Sequence, residues 1–336
     1  MIINDKLYGT FNINEPILID LLNSKAISRL KGISMGGYYP AYPIIQSEDL
    51  NRYHHSIGVF LLLRKFNASI EEQIAGLIHD TSHSAFSHTI DYIKECENDE
   101  EQKTQSGQDD IHENFIKHSD IYEILEKHSF DISYILDDKN FPLKENNTPD
   151  ICADRIDYSI RTAYAYKAIN DEQKDYLINS LRIYNGSFVF KDFNSSQFFA
   201  KMFWNMDQEH WSGIKSAVMF TLSGNLFKIA IKNKYLKFAD FYELSDFEII
   251  EKIKPHINKD LELKKYYEDL HLTKENFTNN PNDYIRKIFC KLRVVDPYFI
   301  TPSYELKRVS ELDKDFAKQL KSINKFKEYF VSKIEK

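Results

Sequence analysis

SIEEQIAGLIHD, residues 69–80, decides how this chain is read. Ile70, Ile74, Leu77 and Ile78 recur at helical spacing, and Ser69 with Glu72 three residues later forms a capping-box pattern. The spacing predicts an amphipathic helix that starts just after Ser69 and runs into the pair His79-Asp80. Adjacent residues of a helix point about 100° apart, because there are about 3.6 residues per turn. A vicinal His-Asp pair therefore converges on a shared ligand best where the helix stops, and the following TSHS reads as such a stop.

Partners for the pair lie on both sides. Upstream, NRYHHSIGVF (residues 51–60) opens a second helical stretch. His55, Val59, Leu62 and Phe66 fall on one face of it, so His55 points with the apolar side chains while His54 does not. A lone histidine on an apolar face is more often a core residue than a ligand. Downstream, TPDICADRIDYSIRTAYAY (residues 148–166) reads as a third helix, with Thr148 as N-cap and Pro149 at its first position. Asp154, Tyr158 and Arg161 share a face there. Two imidazoles and two carboxylates from three helices, His55, His79, Asp80 and Asp154, could close on one divalent ion and leave positions open for water and substrate. HDTSHSAFSHTIDYI (residues 79–93) adds His83, His88 and Asp91, and DIHENF adds His112. Imidazole titrates near neutral pH, so histidines crowded near a metal suggest proton transfer to a leaving group. Taken singly, His112 and His118 read as surface histidines.

The chain of 336 residues suits one large domain or two ordinary ones. The reading places a catalytic core at 1–170 and a helical extension at 171–336. Within the extension, LRIYNGSFVF (residues 181–190) is a hairpin signal around Asn185-Gly186. The acidic stretch ECENDEEQKTQSGQDD (residues 95–110) reads as a surface loop, and the remainder as amphipathic helices with a lysine-rich end. The expected class is mainly α: a helical bundle, a helical C-terminal part and a small β-hairpin. A net charge of −7 argues against a general nucleic-acid binder, and the lysines of the tail are interleaved with acidic residues. Three scattered cysteines give neither a disulfide framework nor a zinc ribbon. With no signal-like start and no apolar run of membrane-spanning length, a cytoplasmic protein without membrane contact is expected.

These motifs together carry a resemblance. His55, His79-Asp80 and Asp154 match the pattern of the HD-domain metal-dependent phosphohydrolases. RLKGISMGGYYPAYP, NRYHHSIGV, QIAGLIHDTSHSAFSH and ADRIDY further resemble the deoxynucleoside triphosphate triphosphohydrolases of the SAM-and-HD-domain type and their bacterial relatives. So does YGTFNINEPILIDLLNSKAISRLKGI. The likeness covers about residues 5–165. It implies that His55, His79, Asp80 and Asp154 hold iron or manganese, with a second ion such as magnesium on the phosphates. It implies catalytic roles for His83, His88, Asp91 and His112. His88 is the expected general acid, and Asp91 is expected to orient a histidine, with His112 the first choice. Arg52, Arg155 and Tyr158 are expected to contact the nucleotide substrate. An activated water would attack the α-phosphorus, and nucleoside and triphosphate would leave. Relatives of this type are often oligomeric, so a homo-oligomer is expected.

The sequence departs from the pattern at three places. Ser34-Met35 replaces a Gln-Leu pair, Thr162 an aspartate near the nucleoside, and Ser82 a small glycine after the His-Asp pair. The metal ligands are untouched, but sugar and base recognition are affected. Two other functions fit the same residues. One is an HD phosphohydrolase of another phosphoester, such as a monophosphate or signalling nucleotide. The other is a catalytically idle nucleotide-binding protein.

Overall fold

The computed structural model describes residues 1–37, 40–41, 50–93, 108–322 and 326–334. Helices dominate it. The helix Ile70–Ile78 starts where the sequence places it, with Ser69 Oγ accepting from the Glu72 N–H at 3.1 Å. The capping box is only half made. The Glu72 carboxylate turns instead to the N–H groups of Leu143 and Lys144, at 2.7 and 2.9 Å, and ties that distant segment to the helix. The helix Arg52–Lys65 begins at Asn51, whose side chain accepts from the His54 N–H at 2.9 Å. The two helices pack closely, because a Cβ at Gly76 would meet Leu63 Cδ1 at 2.5 Å.

The third helix corrects the sequence reading. It runs Ala153–Ala165 with Cys152 as its N-cap, not from Thr148 and Pro149. The residues before it make tertiary bonds instead. The Pro149 carbonyl accepts from Asp296 N at 2.9 Å, and the Asn146 and Asp150 carbonyls accept from Arg155 at 3.1 and 2.8 Å. A backbone used this way cannot also close helical turns.

Strands β1 (Ile2–Asp5) and β2 (Gly9–Asn12) form an N-terminal hairpin. The hairpin expected at 181–190 is present as β3 (Leu181–Tyr184) and β4 (Ser187–Phe190), with positive φ at Asn185 and Gly186. It does not stand alone. A parallel pairing joins β4 to β7 (Tyr298–Ile300), and β8 (Leu306–Arg308) completes a four-stranded sheet in the order β3-β4-β7-β8. A second sheet sets β9 (Phe326–Lys333) between β5 (Phe277–Asn279) and β6 (Arg286–Lys291). The C-terminal part is therefore less helical than expected. Phe326 and Phe330 stand four apart, a spacing that suits both a helix face and an alternating strand. The aromatic and β-branched run Tyr329-Phe330-Val331 is what favours the strand.

One apolar core joins residues from Leu7 to Val331. At its centre lies the helix Ile214–Lys232, buried at Ala217, Val218, Leu226 and Phe227 among others. The stretch Phe193–Lys232 is long and apolar enough to cross a membrane by length and composition alone, but 67% of its apolar window is buried inside the protein. The acidic stretch 95–110 and Cys96 lie outside the described residues, except that residues 108–110 open the helix Gln108–Lys117. The Gly-Gly-Tyr-Tyr run is described only to Gly37.

Candidate metal centre

The helix Ile70–Ile78 ends with His79 as its C-cap, the geometry the vicinal pair requires. Its ring Nδ1 donates to the Gly76 carbonyl at 2.8 Å, one of the carbonyls a helix end leaves unpaired. His55, only 2% exposed, donates from Nδ1 to Asp157 Oδ2 at 2.8 Å. Asp157 is ionised: burial opposes the charge, but Arg161 and His55 hold its carboxyl below the usual range. An ionised carboxylate and a carbonyl can only accept. Each imidazole therefore carries a proton on Nδ1, which leaves Nε2 facing inward as the atom a metal would take.

The two Nε2 atoms face each other at 3.2 Å. Asp154 Oδ1 lies 2.8 Å from His55 Nε2 and 3.5 Å from His79 Nε2. Asp80 stands 3.6 Å from His79 Nε2 and 3.8 Å from His55 Nε2. Two imidazole nitrogens and two carboxylates gathered this closely call for a positive charge among them, a metal ion or, without one, a proton on His55 Nε2 facing Asp154. Ligands of one ion with bonds of about 2.1 Å stand roughly 3.0–3.4 Å apart at square to tetrahedral angles. The donor set fits a divalent ion, and the buried Asp157–Arg161 pair behind His55 supplies the outer-shell support such sites use. Of the four residues expected from the sequence, His55, His79 and Asp80 offer ligand atoms that all lie within 4.8 Å of one another, and Asp154 meets the two histidines. His54 is not among them: its ring turns to the Asn51 cap, 3.0 Å away.

A cavity of about 680 Å³ opens over this centre. On one side, His83 Nε2 lies 3.7 Å from Asp80, and the His83 and His88 rings meet edge to face at 5.7 Å. A file of imidazoles thus leads away from the candidate metal ligands. Burial, then Arg52, holds His83 well below its ordinary range. Burial lowers His88 too, against the pull of the nearby Asp91 carboxylate. His112 also lines the cavity, pushed down to about 4 by burial and then by the charge of Lys144.

Two expectations are corrected here. Asp91 does not orient His112. It sits 3.8 Å from His88, three residues along the same short turn, while His112 Nδ1 is held by Ser82 Oγ at 3.1 Å. Arg155 is not among the described residues that line the cavity. Its guanidinium binds Glu145 at 3.2 Å and Cys152 Sγ at 3.1 Å, besides two carbonyls. Arg52 and Tyr158 do line it. Arg52 binds Asp80 at 2.5 Å and Ser87 Oγ at 2.9 Å, and the Tyr158 ring stands 6.4 Å from that of His55.

The loop that carries His83 and His88 is strained and externally held. Phe86 and Ser87 have φ of 59° and 48°, values that cost a side chain of order 1–2 kcal/mol each. Asp246, far along the chain, accepts from the Phe86 N–H at 2.7 Å and the Ser34 N–H at 2.9 Å. Arg29 binds the His83 carbonyl at 2.9 Å and the carbonyls of Phe241 and Leu244. Asp246→Ala removes the carboxylate that the Phe86 and Ser34 N–H groups bond, and losing such acceptors costs about 1–3 kcal/mol. The expected outcome is a lower thermal midpoint and a fall in kcat with metal content kept. Metal lost in step with kcat would show that the loop does not act separately from the metal helices.

A further wall of the cavity comes from residues that no local sequence pattern marks. Tyr166, His210, Trp211, Phe220 and Arg293 all line the cavity. Trp211 packs its ring against Tyr158 at 5.2 Å, and His210 against Tyr166 at 4.1 Å. His210 and Trp211 ride on a π-helical turn, Asp207–Trp211, which interrupts two helices. Such turns occur frequently at functional sites, but no residue type marks them in a sequence.

Comparison with known proteins agrees with this geometry. Residues 52–162 match the HD domain family model. An uncharacterized Bacillus subtilis protein, YdhJ, is 36% identical over 205 residues, 61% of this chain and 60% of that protein. The metal-dependent phosphohydrolase cns2 of Cordyceps militaris is 27% identical over 258 residues, 74% of this chain and 71% of its own. The deoxynucleoside triphosphate triphosphohydrolase SAMHD1 of Gallus gallus is 26% identical over 166 residues, 43% of this chain and 26% of that enzyme. The chain thus spans less than two thirds of the first and about a quarter of the last. A phosphohydrolase structure from Bacteroides thetaiotaomicron superposes over 100% of both chains with a TM-score of 0.73 at 17% identity, a likeness of fold. The stretch that matches the HD domain family, residues 52–162, is the one that contains His55, His79, Asp80 and Asp154.

Proposed function

We propose that this protein is a metal-dependent phosphohydrolase whose substrate is a deoxynucleoside triphosphate, cleaved to deoxynucleoside and triphosphate. The observation that carries the reading is the convergence of His55, His79, Asp80 and Asp154 beneath a cavity that begins a file of two further imidazoles. The names of the Cordyceps and Gallus relatives support it. A divalent ion held by these four residues, iron or manganese by the mixed nitrogen and oxygen donors, would supply Lewis-acid stabilisation of phosphoryl charge and activation of water. A second ion such as magnesium would accompany the phosphates.

The protein's own groups do the rest. Arg52, fixed by Asp80 and Ser87, places a guanidinium beside the developing phosphoryl charge. His88 stands two rings from the ligands, within reach of Asp91, and donates its proton to the departing 5′ oxygen. Its lowered pKa suits a group that charges only when an anionic substrate arrives beside it. The wall of Tyr158, Trp211 and Tyr166 excludes water and offers ring faces to a base.

One observation favours a shorter phosphate chain, as in a nucleoside monophosphate. Arg52 already pairs with Asp80, Arg155 with Glu145 and Lys144 with Asp138. Beyond these, the described residues lining the cavity offer Lys139, Lys291 and Arg293 for three phosphates. Products discriminate the two readings. Manganese-supplemented protein is incubated with dNTPs, NTPs and monophosphates, and the products are separated by ion exchange. Triphosphate with an equal amount of nucleoside is the expected result. Orthophosphate from monophosphates overturns the triphosphate reading and keeps the phosphohydrolase; no turnover with any nucleotide supports the idle binder.

A further inference from the structure

Arg293 follows strand β6 and lines the cavity together with His88 and Tyr158. Its positive charge is felt at both of those groups. Among the described residues, no carboxylate lies within ion-pair distance of its guanidinium, unlike those of Arg52 and Arg155. The stretch that carries it is nevertheless firmly placed. Its backbone N–H donates to Asp207 Oδ1 at 3.0 Å, and the other carboxylate oxygen of Asp207 accepts from Ser212 Oγ at 2.7 Å. Asp207 is fully buried and is the first residue of the π turn that presents His210 and Trp211. One buried carboxylate therefore fixes both the aromatic wall and the segment bearing Arg293.

A half-buried guanidinium without a counter-ion, held toward a cavity, is costly until an anion joins it. Its planar fork matches the paired oxygens of a phosphoryl group. We propose that Arg293 is a phosphate-binding residue of this cavity, engaging a phosphoryl group of the substrate on the His88 side of the metal centre. The inference rests on reading the cavity as a phosphohydrolase site, and it adds a residue from the C-terminal sheet to the HD domain's own. It also supplies a cation that neither Arg52 nor Arg155 leaves available.

The test is binding of inorganic triphosphate to manganese-loaded protein by titration calorimetry, which needs no turnover. Arg293→Ala is expected to weaken binding at least about tenfold, the scale of one charge-assisted hydrogen-bonded contact. Metal stoichiometry and thermal midpoint stay at the wild-type values, and Arg293→Lys recovers part of the loss. Equal affinity in the wild type and Arg293→Ala overturns the proposal, as does a wild type that binds neither triphosphate nor orthophosphate. An inactive wild type whose triphosphate binding still depends on Arg293 separates the two claims: the triphosphohydrolase reading falls and the phosphate contact stands. Normal dNTP turnover with unchanged KM in Arg293→Ala does the reverse.

Discussion

His55→Ala is expected to abolish divalent-metal binding and turnover together, while His54→Ala keeps most of both. The two residues are neighbours in one helix and differ in where their rings go. His55 offers Nε2 to the centre, 2.8 Å from Asp154 and 3.2 Å from His79, and His54 turns to the Asn51 cap. Changes to outer-shell partners cost metal sites roughly 10–100-fold. Loss of a ligand that two other ligands touch should exceed that range. Metal content by emission spectroscopy, read beside turnover, checks the pair, with Asp154→Ala as a second ligand variant. Equal losses in His54→Ala and His55→Ala would sink the assignment, and so would normal metal content in Asp154→Ala.

The same residue sets a pH dependence. Burial opposes charge on His55, but the carboxylates of Asp154 and Asp157 outweigh it and push the imidazole up to about 10. In the metal-free protein a proton thus occupies His55 throughout the neutral range, and a metal must displace it. Raising the pH removes the competitor, so affinity should climb from pH 6 to 9 by about tenfold per unit for one displaced proton. Titrations in buffers of different ionisation enthalpy report that proton directly. A flat affinity profile would mean that His55 keeps its proton when metal binds.

The candidate ligands were legible in the sequence because each stood at a position that local rules mark. His79-Asp80 closed a capped amphipathic helix, and His55 and Asp154 lay on faces of periodic helices. The start of the third helix was misread because Thr148-Pro149 satisfies a local rule that Arg155 and Asp296 override through tertiary bonds. Arg155 was misplaced for the same reason. Adjacency to a ligand in sequence says nothing about which way a guanidinium turns, and Glu145 and Cys152 decide it. The further wall of the cavity was illegible on different grounds. Trp211 and Arg293 reach the cavity only through a π turn and a sheet, both fastened by Asp207. No periodicity links residues 211 and 293 to residue 55. Asp246 is likewise an ordinary second residue of a capping box until the fold sets its carboxylate against Phe86 and Ser34.

Gly58→Ala is expected to damage the metal centre without touching a ligand. Gly58 lies one turn beyond His55 on the same helix, where alanine would ordinarily strengthen the helix by about 1 kcal/mol. Here an added Cβ would stand 2.7 Å from the Asp157 carboxyl carbon and would overlap its oxygen and Arg161 Nη2. Neither partner is a flexible end that can swing aside. The side chains of Asp157 and Arg161 are 0% and 4% exposed, and Arg161 is further fixed by Asp5 at 3.0 Å. The methyl group must displace a buried ion pair, and breaking such a pair costs about 3–5 kcal/mol. Asp157 is also the acceptor that fixes the His55 tautomer, so its displacement frees the ring to rotate and to move its proton to Nε2. Metal affinity should fall roughly 10–100-fold, as it does when outer-shell acceptors are lost. Calorimetric unfolding and manganese titration read the two effects separately. A variant with a higher thermal midpoint and unchanged affinity would show that helix propensity governs this position. A fall in both would identify the glycine as the space through which Asp157 reaches His55.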